Sequence, residues 1–116
     1  MTMEGATHRV TRRYETPYGR DLAFHAGQRL AFERRATEWV GWIWCTAESG
    51  ASAWVPESWV RLEAGGCVMT RDYVAHELSV TPGEELRAAL VESGWIWATA
   101  ASGASGWVPL DCLEPL

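Results

Sequence analysis

Lysine is missing from this chain, and so is asparagine; all ten basic residues are arginine. Without lysine there is no Schiff-base nucleophile and no P-loop lysine to reach a phosphate. Nor is there a run of roughly 18 or more apolar residues, so no membrane-spanning helix is expected. The opening MTMEGATHRV lacks the basic-then-apolar pattern of a secretory signal, and a cytoplasmic location follows as the expectation. Cysteine is scarce and odd in number: Cys45, Cys67 and Cys112, none of them in a Cys-x-x-Cys pair. That spacing argues against both a disulfide framework and a zinc site, leaving reduced, structural thiols. His8, His25 and His76 are scattered and do not sit at a ligand spacing. Neither a metal nor a cofactor is expected.

Tryptophan, by contrast, is abundant, with eight in 116 residues. The tetrapeptide Gly-Trp-Ile-Trp stands at 41–44 and again at 94–97. The echo extends further. GWIWCTAESGASAWVP (Gly41 to Pro56) returns as GWIWATAASGASGWVP (Gly94 to Pro109), offset by 53 positions with three substitutions. The chain is a tandem duplication of units of about 55 residues, near the lower limit for folding without staples or metals. A hydrophobic content of 47% gives each copy enough bulk for a core. Charge is uneven between the copies. Residues 1–62 hold 8 Arg against 7 acids, a balance of +1; residues 63–116 hold 2 Arg against 8 acids, a balance of −6. An acidic second half repels phosphate backbones, so nucleic acid is not expected as a partner.

Short strand-like runs alternate with turn signals along the whole chain, the pattern of an all-β fold. The polar residues 1–9 read as a frayed N-terminus. In copy one, strands are expected at Val10–Tyr14, 21–24, 29–34, 41–46, 53–56 and 59–62. In copy two they are expected at 68–73, 77–80, 85–91, 94–99, 106–109 and 111–113. The Ser-Gly-Ala-Ser segments (49–52 and 102–105) read as turns. Domain boundaries follow the repeat: 10–62, a short linker at 63–67, and 68–116. The linker is too brief for the copies to tumble independently. Side chains alternate along a strand, so Trp42 and Trp44 share one face while Ile43 and Cys45 share the other. Cys45, Val55, Ala98 and Val108 are expected inside, and the paired indoles outside.

In their order, these segments resemble the Src-homology-3 family of small five-stranded barrels that bind Pro-rich peptides. Val10-Thr11-Arg12-Arg13-Tyr14 and Met69-Thr70-Arg71-Asp72-Tyr73 stand at the family's first motif. Asp21 to Gln28 and Glu77 to Glu84 stand at its second, Trp42 and Trp95 match the groove tryptophan, and Ala53 to Trp59 and Gly106 to Cys112 match its finish. The resemblance implies two tandem five-stranded barrels covering residues 10–62 and 68–114. It also implies aromatic grooves: Tyr14, Trp42, Pro56 and Trp59 in copy one, with Glu15 and Asp21 as acids. Copy two offers a reduced set, Tyr73, Trp95 and Pro109, with Glu77 as its main acid. There are departures. Arg12 and Arg71 occupy a family tyrosine position, and Cys112 replaces the last aromatic in copy two, which makes copy one the expected binding copy.

Polyproline II ligands dock between aromatic ridges because that conformation is already ordered. The expected function is therefore a non-enzymatic protein- or peptide-binding or scaffolding module for Pro-rich or basic segments. A structural alternative stays open, in which the tryptophan faces pack between the barrels or between copies of the chain, with Trp44 and Trp97 at the interface. A cation cage of indoles, with Trp39 as an added wall, is a further alternative. Catalysis is not expected. Cys112 beside Asp111 has its thiolate disfavoured, and no nucleophile and base fall together.

Overall fold

The computed structural model describes residues 7–16, 22–35 and 39–116. Twelve strands are present among them, and no α-helix. The first seven are β1 (Thr7–Val10), β2 (Ala23–Phe24), β3 (Arg29–Glu33), β4 (Trp42–Thr46), β5 (Ser52–Pro56), β6 (Val60–Glu63) and β7 (Gly66–Met69). The remaining five are β8 (Tyr73–Val74), β9 (Glu85–Glu92), β10 (Trp95–Ala100), β11 (Ser105–Pro109) and β12 (Leu113–Pro115). Single 3-10 turns, Glu57–Trp59 and Leu110–Cys112, follow β5 and β11. No helix of the described residues is long and apolar enough to cross a membrane. The N-terminus is more ordered than its polarity suggests, since Thr7 to Arg9 belong to β1 and His8 is buried. Residues 1–6 lie outside the described residues.

The near-perfect repeat is a hairpin, made twice. β4 pairs β5 and β10 pairs β11, with Trp44 opposite Trp54 and Trp97 opposite Trp107. The turns match bond for bond: Ala47 N donates to Ala51 O and Ala100 N to Ala104 O, both at 2.8 Å. Alternation holds where it was expected to. Ile43, Cys45 and Val55, with Ile96, Ala98 and Val108, are wholly buried. The outward placement of Trp42 and Trp95 does not hold; both are buried, and only Trp44 and Trp97 are half-exposed.

The sheets cut across the repeat. One runs β11-β10-β9-β1-β12, another β5-β4-β3-β7-β6, and a two-stranded sheet joins β2 to β8; none closes into a barrel. β1, from the first copy, lies between β9 and β12 of the second. β7, from the second copy, lies between β3 and β6 of the first. The compact units are accordingly Met1–Arg20 with His76–Leu116, here unit 1, and Asp21–Ala75, unit 2. They differ from the 10–62 and 68–116 division that the repeat suggests. The reason is the joint itself. Glu63 pairs Gly66 across a two-residue turn, Ala64-Gly65, with Gly65 at a φ of +80°. A turn that short lays β7 directly against β6, so the segment expected to be a linker is a hairpin. The exchange also evens out the charge. Unit 1 holds 5 Arg against 8 acids, a balance of −3, and unit 2 holds 5 against 7, a balance of −2.

Contacts within each unit account for two of the three substitutions in the repeat. Gly106 stands where the first copy has Ala53. A Cβ at Gly106 would lie 2.9 Å from the His76 ring and 3.0 Å from Leu78 backbone, because residues 76–78 run along β11. Cys45 becomes Ala98, and at the position facing it in strand order Cys67 becomes His8. In unit 2 the thiols of Cys45 and Cys67 meet in the core. Unit 1 has one larger and one smaller buried residue instead, which keeps core volume about constant. Nothing in the structure explains the exchange of Glu48 for Ala101.

Close backbone approach makes a testable contrast. A Cβ on Gly66 would sit 2.6 Å from the Leu30 carbonyl oxygen, which is backbone and cannot swing away. Gly66→Ala should therefore destabilise the chain by about 2 kcal/mol or more, and Gly106→Ala by about 1–2 kcal/mol, although the latter makes the repeats more alike. Urea unfolding followed by tryptophan fluorescence measures both. An unchanged midpoint for Gly106→Ala would show that residues 76–78 do not press on β11.

Candidate functional site

The four aromatic and proline positions expected to form one groove in the first copy are divided between the units. Tyr14 and Glu15 belong to unit 1, whereas Trp42, Pro56 and Trp59 belong to unit 2, where Trp59 meets Tyr73. Asp21 lies outside the described residues. Glu15 is exposed and pairs with Arg13 at 3.4 Å.

In unit 2 the 3-10 turn after Pro56 directs Trp59 inward, edge-to-face with Tyr73 at 5.6 Å and 89°. Such a pair contributes about 0.5–1.5 kcal/mol beyond its buried area. The Tyr73 hydroxyl donates to the Trp54 carbonyl at 2.7 Å, satisfying a polar atom that this burial would otherwise strand. The guanidinium of Arg71 lies over the Trp59 ring, 3.9 Å from its centroid. Exposure is 9% for Trp42, 6% for Trp59 and 4% for Tyr73. These aromatics serve the interior of unit 2, and its own arginine covers the Trp59 face.

Unit 1 gathers residues from both copies. Tyr14 pairs with Val80 through two backbone bonds of 3.0 and 2.9 Å, which fixes its ring edge-to-face with Trp95 at 5.6 Å and 86°. Trp95 is buried opposite Pro109 on β11. The Tyr14 hydroxyl donates to the Glu77 carboxylate, as does the Thr16 hydroxyl at 3.2 Å, and Thr16 N donates to Ser79 Oγ at 3.0 Å. Glu77 is held from behind as well. Its neighbours bond to β11, Leu78 N to Trp107 O at 3.0 Å and Trp107 N to His76 O at 2.9 Å. Tyr14, Thr16 and Glu77 are each half-buried, so the cluster reaches the surface.

Burial pushes the Glu77 carboxyl above the usual range, and the hydroxyls of Tyr14 and Thr16, with His76 nearby, pull it partly back. Six of the other acids are held by arginine instead. Asp111, Glu15, Glu33, Glu57, Glu63 and Glu114 each lie within ion-pair distance of an arginine. Among the described residues, none of these pairs reaches Glu77. It is a desolvated carboxylate solvated by hydroxyls. Cys112 differs again: burial first, and Asp111 second, push its thiol up, and it contacts Asp111 at 3.6 Å.

Trp44 and Trp97 face their own hairpin partners. Trp44 lies edge-to-face with Trp54 at 5.3 Å, with Arg35 4.5 Å above its ring, and Trp97 with Trp107 at 5.6 Å. Sequence reasoning missed Thr16, Ser79 and Arg71 as members of these clusters. No local signal marks them, because Tyr14 and Glu77 stand 63 positions apart. A scan of family models found no match to the chain, and searches of the curated proteins and of the solved structures found none either.

The Glu77 environment has a pH signature. Folding raises this carboxyl's pKa, so the folded chain holds the proton more tightly than the unfolded one. Its favourable contribution is complete below the ordinary value of 4.5 and is lost as pH rises through the raised one. Glu77→Gln keeps an acceptor for both hydroxyls and removes the charge. Its stability should exceed that of the unsubstituted chain at neutral pH, with the gap closing as pH falls toward 4.5. Urea unfolding at a series of pH values measures this. A gap independent of pH would mean that Glu77 is not a desolvated carboxylate.

Proposed function

We propose that the chain is a non-enzymatic peptide-binding module of the Src-homology-3 kind, with its ligand site in unit 1 and a structural role for the aromatics of unit 2. What supports this reading is Glu77: a half-buried carboxylate with hydroxyl partners and, among the described residues, no arginine, at the edge of an aromatic pair. Such a group gains most from a cation delivered by a partner, since a charge-assisted bond to a guanidinium replaces water that burial has already thinned. Tyr14, braced by Trp95, offers the adjacent apolar surface on which a polyproline II segment can lie. The ligand in this reading is an extended, Pro-rich segment carrying one basic residue. Net charges of −3 and −2 on the two units favour such a partner over nucleic acid. The proposal moves the active groove from the first copy's Trp42 to a site shared by both copies. In unit 2 the equivalent aromatic face already carries Arg71.

A synthetic Pro-x-x-Pro peptide with one arginine is the probe, titrated against tryptophan fluorescence. Glu77→Gln should weaken its binding about tenfold, equivalent to ~1.4 kcal/mol. Arg71→Ala, in unit 2, should leave the affinity unchanged. Equal affinity for the Glu77→Gln chain, or for a peptide whose arginine is replaced by alanine, would overturn the assignment. Absence of binding at millimolar peptide would favour the structural reading, in which every aromatic is used internally.

A further inference from the structure

Unit 2 is one uninterrupted stretch of chain, while unit 1 is made of two stretches that flank it. Every strand of the sheet β5-β4-β3-β7-β6 lies between residues 21 and 75, so unit 2 borrows nothing from outside. Its two ends are tied to each other. β2 pairs β8 through Ala23 with Val74 and Phe24 with Tyr73, and Ala75 N donates to Leu22 O at 2.7 Å. Unit 1 has the opposite design. Its strand β1 is internal to the sheet, flanked by β9 and β12, yet it is delivered by a separate stretch of chain. The two stretches join where Tyr14 pairs Val80 and where Tyr14 and Thr16 donate to Glu77.

From this connectivity we propose a one-way dependence built into the fold: unit 2 folds by itself, and a folded unit 2 makes the assembly of unit 1 about twentyfold more favourable. Thr16 and Glu77 are separated by the sixty residues 17–76. Closing that loop on an unfolded chain is improbable. Once the β2–β8 ladder ties Leu22 to Ala75, the effective loop shrinks to about eight residues, and closure becomes about twentyfold more probable on the three-halves power of loop length. Until the loop closes, the sheet of unit 1 lacks its internal strand, and the split leaves β9 and β12 each with an unpaired edge. The Tyr14–Glu77 cluster spans the same seam, so it gains by the same factor from a folded unit 2. That consequence rests on the proposed binding site; the folding dependence does not.

Val55 and Val108 occupy equivalent places in the two copies, and each is wholly buried. A carboxylate at either position unfolds the unit around it. The test is amide hydrogen exchange by NMR on the full chain carrying Val55→Asp or Val108→Asp. Val108→Asp should abolish slow exchange in β1 and β9–β11 and leave it in β3, β4 and β7. Val55→Asp should abolish it in β3, β4 and β7 and speed exchange in β1 and β9–β11 about twentyfold. Unchanged exchange in β9–β11 of the Val55→Asp chain would overturn the dependence, and so would loss of slow exchange from β3, β4 and β7 in the Val108→Asp chain. Ile43→Ala and Ile96→Ala, also equivalent and wholly buried, repeat the comparison with milder damage and must give the same asymmetry. Because no ligand enters the measurement, a failed peptide titration and a failed exchange experiment are distinguishable results.

Discussion

A two-residue turn decides the architecture. Ala64 and Gly65 leave the last strand of one copy and the first strand of the next no choice but to lie side by side, with Glu63 opposite Gly66. Antiparallel neighbours joined by so short a loop form a hairpin at small entropic cost, whereas any other pairing of β7 requires the chain to cross the sheet. Once β7 is taken by the first copy's body, the second copy's body lacks a strand, and β1 is the sequence that matches the vacancy. Val10 and Met69 are both buried, and Thr11 and Thr70 each donate, through N and Oγ1, to the carbonyl that ends a 3-10 turn, Cys112 O and Trp59 O respectively. The equivalent bonds show that the two strands are interchangeable in kind, and the turn settles which goes where.

This is why strand positions were legible in the sequence and strand partners were not. Alternation of buried and exposed residues is local, and it placed Ile43, Cys45, Val55 and their counterparts correctly on the inner face. The Ser-Gly-Ala-Ser turns were legible for the same reason. Pairing is non-local, and a duplicated chain offers every strand two chemically similar partners. The repeat therefore points to a grouping, 10–62 and 68–116, that differs from the compact units, because homology between copies carries no information about which copy completes which sheet. The same ambiguity hid the candidate site. Glu77 was legible as an acid of the second copy, but not its two hydroxyl donors, which arrive from Tyr14 and Thr16 of the first. Expected exposure also failed for Trp42 and Trp95. Both occupy strand positions that alternation assigns outward, yet Pro56 and Pro109 opposite them, and Tyr14 beside Trp95, cover the indoles.

The two units use their cations in opposite ways. In unit 2, Arg71 rests on Trp59, a contact worth about 0.5–1 kcal/mol at an exposed site. In unit 1 the matching residues are Arg12 and Cys112. With no ring to cover, Arg12 turns to Asp111 at 3.9 Å, an exposed pair of little energetic weight. Replacing one indole by a thiol thus removes from unit 1 the ring on which Arg71 rests in unit 2, and among the described residues no arginine pairs with Glu77.

The differences between the copies also reinforce the exchange. If β1 returned to its own copy, His8 would enter the place of Cys67 beside Cys45, adding volume to a filled core. Cys67 would then stand beside Ala98, leaving a void where the imidazole had been. Overpacking and cavity formation each cost on the order of 1–3 kcal/mol in a close-packed interior. Gly106 serves the site and not the exchange: its missing Cβ admits residues 76–78 to the edge of β11, where they hold Glu77 in position for Tyr14, and both segments belong to the second copy. Turn length and core volume are independent constraints, and both favour the same pairing. A duplicated sequence that could fold in two registers is thereby committed to one, because local and long-range preferences agree.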